Sequence, residues 1–232
     1  MTVAIMQPYF LPYIGYFQLL NTVDKFVLYD DVNFINRGWV NRNSILLGGK
    51  PHLFTVPLDN ASQNKLIHEV KMTGEASWRK KLIKTVQQAY QKAPYFPTVF
   101  PIFEEILHLE ATDIADLVYR SLLILKGYMG IETELVRSSR IYENSSLKGQ
   151  ARILDICNKE GATQYINPIG GQELYGRAHF EAQGIQLNFI KSNPHPYPQF
   201  KNAFVPWLSI LDVLMFNDMT NTQELLLDFE LV

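Results

Sequence analysis

A single cysteine, Cys157, leaves nothing to build an internal disulfide framework in 232 residues. No two histidines or cysteines have the spacing of a zinc site. No G-x-S-x-G elbow is present, and Cys157 falls inside a helical pattern, a poor setting for a nucleophile. There is no G-x-G-x-x-G and no G-x-x-x-x-G-K-[ST], so the two commonest phosphate-loop readings drop out. No apolar run reaches about 18 residues, which argues against a membrane-spanning helix. The chain opens directly on a strand pattern, so no signal peptide is expected and a cytoplasmic protein follows. An excess of one charge is missing too. Lys and Arg total 21 against 23 Asp and Glu, a net charge of -2 with pI ≈ 6.2, so no broad basic surface for nucleic acid is expected. No internal repeat or low-complexity tract stands out.

What is there suits a packed α/β protein. Hydrophobic residues make up 47% and charged ones 19%, ample for a core, and the length allows one α/β domain over residues 1–232. The organising stretch runs from Ala4 to Leu20. Val3 to Met6 reads as a short buried strand, and Gln7-Pro8 ends it because proline has no N–H for a sheet ladder. Pro12 marks the entry to a helix carrying Gly15 in its first turn and Phe17, Leu20 and Val23 on its buried face. Strand, turn and glycine-bearing helix N-terminus is a layout that can cradle phosphate.

Further strands are expected over 25–29, 132–137, 164–167 and 185–190, with a hairpin turning at Gly48-Gly49. Helical spacing predicts helices over 77–91, 103–108, 112–128 and from Ser145 or Ser146 to Gly161, with helix-forming sequence near 174–182. Pro94, Pro97 and Pro101 are read as breaking the stretch before residue 103. Strands alternating with helices at both ends predict a Rossmann-like parallel sheet with helices on both faces, the segment 71–130 forming a mainly helical insertion or layer.

Each strand taken as parallel ends in polar groups: Gln7, Asp30-Asp31, Ser138-Ser139, and Asn167 ahead of Gly170-Gly171. Carboxyl ends of neighbouring strands converge on one crevice, so Gln7, Asp30, Arg37 and Asn167 are expected to share a pocket. Arg37 and Arg42, read as lying in a ligand-facing loop with Trp39 and four asparagines, suit bidentate contact with phosphate or carboxylate. Lys148 and Arg152 place cations at a helix N-terminus, where the dipole disfavours them unless an anion is held there. His195, in a loop stiffened by three prolines, is the best placed of five histidines for acid–base work. Asp30-Asp31 as a turn or cap, Gly170-Gly171 as a plain turn, and solvated arginines are the structural alternatives.

Taken together, the stretches Ile5–Phe17, Asp30–Asn33 with Arg37–Asn43, Gly161–Gly171 and Phe204–Asp212 resemble the WbqC-like family. The resemblance implies a role in bacterial O-antigen and surface-polysaccharide biosynthesis. It points to a transfer to, or modification of, a sugar nucleotide or related anionic precursor. Tyr13-Ile14-Gly15-Tyr16 also resembles the His-x-Gly-His signature of the nucleotidylyltransferase (HUP) superfamily, with both histidines replaced by tyrosine. That likeness implies a nucleotide site, for ATP or a sugar nucleotide and with magnesium as an optional partner, in which Gln7, Tyr13, Gly15 and Tyr16 line the phosphate region. Tyrosine hydroxyls donate hydrogen bonds but carry no positive charge at neutral pH, so Arg37, Arg42 or Lys148 would have to supply it. Asp30 or Asp31 would hold a ribose, a metal or a substrate amine, and Asn167 with Gly170 and Gly171 would close the far wall. The rival reading is a non-catalytic binding or scaffold protein. A homo-oligomer is compatible with either.

Overall fold

The computed structural model describes residues 1–75 and 77–232. In chain order the elements are β1 (Thr2–Met6), α1 (Ile14–Thr22), β2 (Lys25–Leu28), β3 (Arg42–Leu47), β4 (Lys50–Thr55), β5 (Leu58–Asp59) and β6 (Lys71–Met72). Then come α2 (Ser77–Tyr90), α3 (Phe96–His108), α4 (Ile114–Tyr128), β7 (Glu134–Val136), α5 (Gly149–Lys159) and β8 (Gln164–Pro168). The chain finishes with α6 (Arg177–Glu181), β9 (Gln186–Ser192), α7 (Ile210–Phe216), α8 (Met219–Leu226) and β10 (Phe229–Leu231).

Six strands form one sheet in the order β10-β9-β8-β1-β2-β7. All neighbours pair in parallel except β10 against β9. From β1 the chain builds outward through β2 to β7, then returns to the other side of β1 with β8 and continues to β9. The direction of winding therefore reverses between β1 and β8, a topological switch point of a Rossmann-like α/β fold.

The strands read as nearly continuous apolar runs because both sheet faces are covered. Val3, Ile5 and Val27 pack with Ile153, Cys157 and Phe180, so α5 and α6 cover that face. Ala4, Phe26 and Leu28 point the other way, into a larger cluster with Phe17 and Leu20 of α1 and Leu225 of α8. The same cluster takes in the apolar stripes of α2, α3 and α4 and the inner face of the β3–β4 hairpin. Gln18 of α1 is buried, and its side-chain amide donates to the carbonyls of Leu225 (2.8 Å) and Asp228 (2.9 Å), tying α1 to the exit of α8. Burial pushes the Cys157 thiol up to about 12, so it stays protonated inside the core.

Two expectations change. The proline-rich segment before residue 103 is helical from Phe96. Pro97 sits in the first turn, where no intrahelical N–H bond is required, and Pro101 forfeits one bond in a helix held by burial of Val99, Phe103, Ile106 and Leu107. Arg42 is not in a loop but opens β3, paired with Thr55.

The turn between β1 and α1 contains Pro8 and Pro12 and cannot satisfy its own backbone. Leu11 adopts φ +46, and its buried carbonyl accepts from the side chains of Asn43 (2.8 Å) and Ser209 (2.8 Å). Phe10 N donates to Val40 O (3.2 Å), and Ile210 N to Pro12 O (2.8 Å). Asn43→Ala or Ser209→Ala should each cost about 1 kcal/mol of stability, since one donor remains on the Leu11 carbonyl. The double variant leaves that carbonyl unpaired and should lose more than the sum of the two. Strict additivity in urea unfolding would show that the two donors do not share this acceptor.

Candidate functional site

The reversal between β1 and β8 opens a cleft of about 620 Å³ at the carboxyl edge of the sheet. Its floor comes from three adjacent strand ends: Met6-Gln7 after β1, Asn167-Pro168 of β8, and Ser192 closing β9. One wall is the turn into α1, with Tyr9, Tyr13 and Tyr16. The opposite wall is Ile169-Gly170-Gly171, Leu174 and Tyr175. Ile35 and Trp39, from the segment between β2 and β3, and Trp207, ahead of α7, stand at the mouth. A recess of about 180 Å³ shares Tyr9, Tyr13, Trp39 and Trp207 with the cleft and adds Pro12 and Asn43.

Gly15 makes this geometry possible. A Cβ there would overlap the Tyr13 ring and the Ser192 hydroxyl, so the ring can fold over the first turn of α1 only because residue 15 has none. Gly171 stands in the same relation to the Asn167 side chain. The Asn167 amide donates to the Tyr165 hydroxyl (2.8 Å), which orients it. The Tyr16 hydroxyl donates to the Gln7 carbonyl (3.0 Å), and its ring is buried against Phe17 and Phe26. Tyr16 thus fixes the end of β1 from below.

Among the described residues lining the cleft, none is Lys, Arg, Asp, Glu or His. The cleft tyrosines Tyr9, Tyr13, Tyr29 and Tyr175 all have pKa values raised above 10.0, mainly by burial, so their hydroxyls stay neutral hydrogen-bonding groups.

The structure therefore brings together Gln7, Tyr13, Gly15, Tyr16, Asn167, Gly170 and Gly171, and places the charged candidates elsewhere. Asp30 and Asp31 are buried at the exit of β2. Asp30 accepts from the Ser138 hydroxyl (2.7 Å) and Ser139 N (3.2 Å) after β7, and burial raises its pKa. Asp31 accepts from the Ser139 hydroxyl and pairs with the buried Arg152 of α5. The anion implied by cations at the start of α5 is thus Asp31 of the same chain, and Lys148 is left exposed at the N-cap of α5. The Arg152 guanidinium also stacks on Tyr29, 5.0 Å from the ring centroid, supporting that ring from behind the cleft. Arg37 is exposed at the apex of a turn closed by Gly38 N to Ile35 O (3.1 Å), just outside the mouth. The Arg42 side chain is turned back to the Gly38 carbonyl (3.0 Å). His195 pairs with Asp228 (2.9 Å) beside a separate cavity of about 400 Å³. Ser138 and Ser139 serve Asp30 and Asp31. The expected four-residue convergence is met by Gln7 and Asn167 and not by Asp30 or Arg37.

Sequence reasoning missed Tyr9, Tyr29, Tyr175, Ser192 and Trp207 as site residues. A signal existed, because each aromatic lies near a strand exit or a proline or glycine turn, but aromatics there also read as core. The loop carrying Trp207 is held by a buried carboxylate. Asp212, on α7, accepts from the hydroxyls of Tyr90 (2.8 Å) and Tyr197 (2.7 Å) and from the Gln199 amide (2.5 Å). The Gln199 amide also exchanges hydrogen bonds with the backbone of Val205, two residues before Trp207.

Two variants test this partition between structural charge and neutral cleft. Arg152→Met strands the Asp31 carboxylate and should cost about 3–5 kcal/mol in denaturant unfolding; a loss below about 1 kcal/mol would mean the pair is not buried as described. Burial raises the Asp212 pKa above 3.8. Between the unfolded and folded pKa values the native state then holds the extra proton, so this group's contribution falls as pH rises from about 4. The stability of Asp212→Asn relative to the parent should accordingly climb with pH across that window, and a flat difference would refute the raised pKa.

An uncharacterised protein of Mycobacterium tuberculosis, Rv1507c, is 30% identical over 221 residues, covering 93% of this chain and 93% of its own length. No solved structure matches the chain. The pattern of the WbqC-like protein family matches residues 7–224, from the residue after β1 into α8, and the chain belongs to that family.

Proposed function

We propose that this chain is a transferase acting on sugar-nucleotide or related precursors of bacterial cell-surface polysaccharide, with its substrate held in the switch-point cleft. The observation that carries the reading is the cleft's position and lining: an open-mouthed site at the β1/β8 reversal, walled by aromatic rings and floored by neutral amides and hydroxyls. The size suits a small molecule, and side-chain amides and hydroxyls both donate and accept, as a polyhydroxy substrate does. The anionic part of such a substrate would lie at the rim, with Arg37 the nearest exposed guanidinium along the chain. Catalysis in a cleft without titrating side chains would rest on fixed hydrogen-bond donors that stabilise developing charge, worth about 3–4 kcal/mol per well-placed donor.

The same neutrality favours one alternative, binding without turnover. The two readings separate in a thermal-shift panel of UDP-, dTDP- and GDP-sugars, ATP and CTP with magnesium, followed by mass spectrometry of incubated mixtures. A ligand at about 100 times its Kd should add about 2.7 kcal/mol of stability. Stabilisation with a changed product supports the transferase. Stabilisation without change supports the binding protein, and silence across the panel contradicts both. Gly15→Ala displaces the Tyr13 ring and the Ser192 hydroxyl, so it should weaken any cleft ligand about tenfold or more. Unchanged affinity would remove this stretch from the site.

Binding should also be flat from about pH 6 to about pH 9, because the lining groups do not titrate there. A transition within that window would show that a titrating group from outside the described lining takes part in binding.

A further inference from the structure

Large apolar side chains left in water normally scatter over a protein surface. Of the fourteen among the described residues, nine do scatter, but five, Ile35, Trp39, Ile169, Leu174 and Trp207, line the switch-point cleft together. The two tryptophans matter most. Trp39 is 49% exposed and Trp207 51%, and they arrive on separate segments, one before β3 and one before α7. Both also line the side recess, so a ring entering the mouth meets both.

Holding Trp207 there strains the backbone. Its φ is +62, the left-handed region that a bulky residue avoids. The conformation is enforced from both sides, by Gln199 on Val205 and by Ser209 N donating to Ser44 O (2.8 Å). The Tyr13 ring meets the indole edge-on at 5.9 Å, which fixes its tilt. Trp39 follows a turn in which Arg37 has φ +60. Strained segments that keep two indoles half in water are accounted for by a ligand that covers them.

The floor says which ligand. Gln7, Asn167 and Ser192 end three neighbouring strands in staggered register: Asn167 pairs with Phe189, three residues short of Ser192, and the pairing of Val3 with Tyr165 carries Gln7 two residues beyond Asn167. That staggered spread, at about 3.3 Å per residue along a strand, suits hydroxyls set round a saturated ring better than donors and acceptors crowded along one edge of a base. No cation among the described lining residues is available to a phosphate.

We propose that Trp39 and Trp207 form an aromatic clamp for the hexopyranose ring, so that the sugar enters the cleft and the nucleoside diphosphate stays outside it. This rests on the sugar-nucleotide reading of the same site and adds that selectivity lies in the glycosyl group.

Tryptophan fluorescence, with three tryptophans to report, tests it on the parent protein without any variant. The probes are UDP-glucose, dTDP-glucose, GDP-mannose, UDP-N-acetylglucosamine, the free nucleoside diphosphates, and methyl glycosides of glucose, galactose, mannose, N-acetylglucosamine and fucose. Affinity should follow the sugar: removing it should weaken binding about tenfold or more, and exchanging the nucleotide should change little. Trp39→Ala and Trp207→Ala should each weaken the sugar-bearing ligand about tenfold with a parent-like Tm, and the Phe replacements should keep most of the affinity. Free UDP or GDP binding as tightly as its sugar conjugate would overturn the clamp and leave the sugar-nucleotide reading standing. Binding of a methyl glycoside but of no nucleotide sugar would do the reverse. No binding by any probe would overturn both.

Discussion

The Leu11 carbonyl is the junction on which the site depends. It lies in a turn whose two prolines remove N–H groups, and its left-handed residue turns the carbonyl into the interior. Only distant side chains can satisfy it, and they come from two places, Asn43 at the start of β3 and Ser209 at the start of α7. Those same anchors carry Trp39 and Trp207 to the mouth of the cleft. A polar group that cannot be left dry and unpaired thus draws two remote segments around one strand end.

Charge follows the opposite logic. The carboxylates of Asp30, Asp31 and Asp212 are consumed inside the fold by serines, Arg152, tyrosines and Gln199. Arg152 and Asp31 cross from α5 to the exit of β2 and press on Tyr29, which faces the cleft on its other side. The protein uses its buried ions to set walls in place and leaves the cavity between them neutral. Recognition there depends on ring faces and on amide and hydroxyl groups, which favours an uncharged polyhydroxy group over a phosphate.

Much of this was legible in the sequence. The parallel sheet followed from short apolar runs alternating with helical stripes, and Gln7 and Asn167 were placed because they close the two strands that flank the reversal. Asp30 and Asp31 misled for a physical reason. They also end a parallel strand, but one step from the reversal, where Ser138 and Ser139 after β7 and Arg152 of α5 bind both carboxylates. A one-dimensional reading sees a carboxyl-terminal strand end; only strand order shows which ends are open. The arginines misled similarly, since Arg42 became a strand residue and Arg152 found its anion within the chain. Trp207 was hidden because an aromatic beside a proline looks like core until its φ of +62 and its exposure are known. The helix through Pro101 was lost because tertiary burial outweighs one missing hydrogen bond.

Hydrogen exchange with and without saturating sugar nucleotides addresses the central claim, that the β1/β8 reversal is the ligand site. Amide protection should concentrate in residues 7–16, 33–41, 167–175 and 205–209, which contribute the floor, walls and mouth of the cleft. The cavity beside His195 and Asp228 should remain unchanged. Protection confined to residues 193–198 and 217–228, with the cleft segments exchanging as in the free protein, would contradict the account.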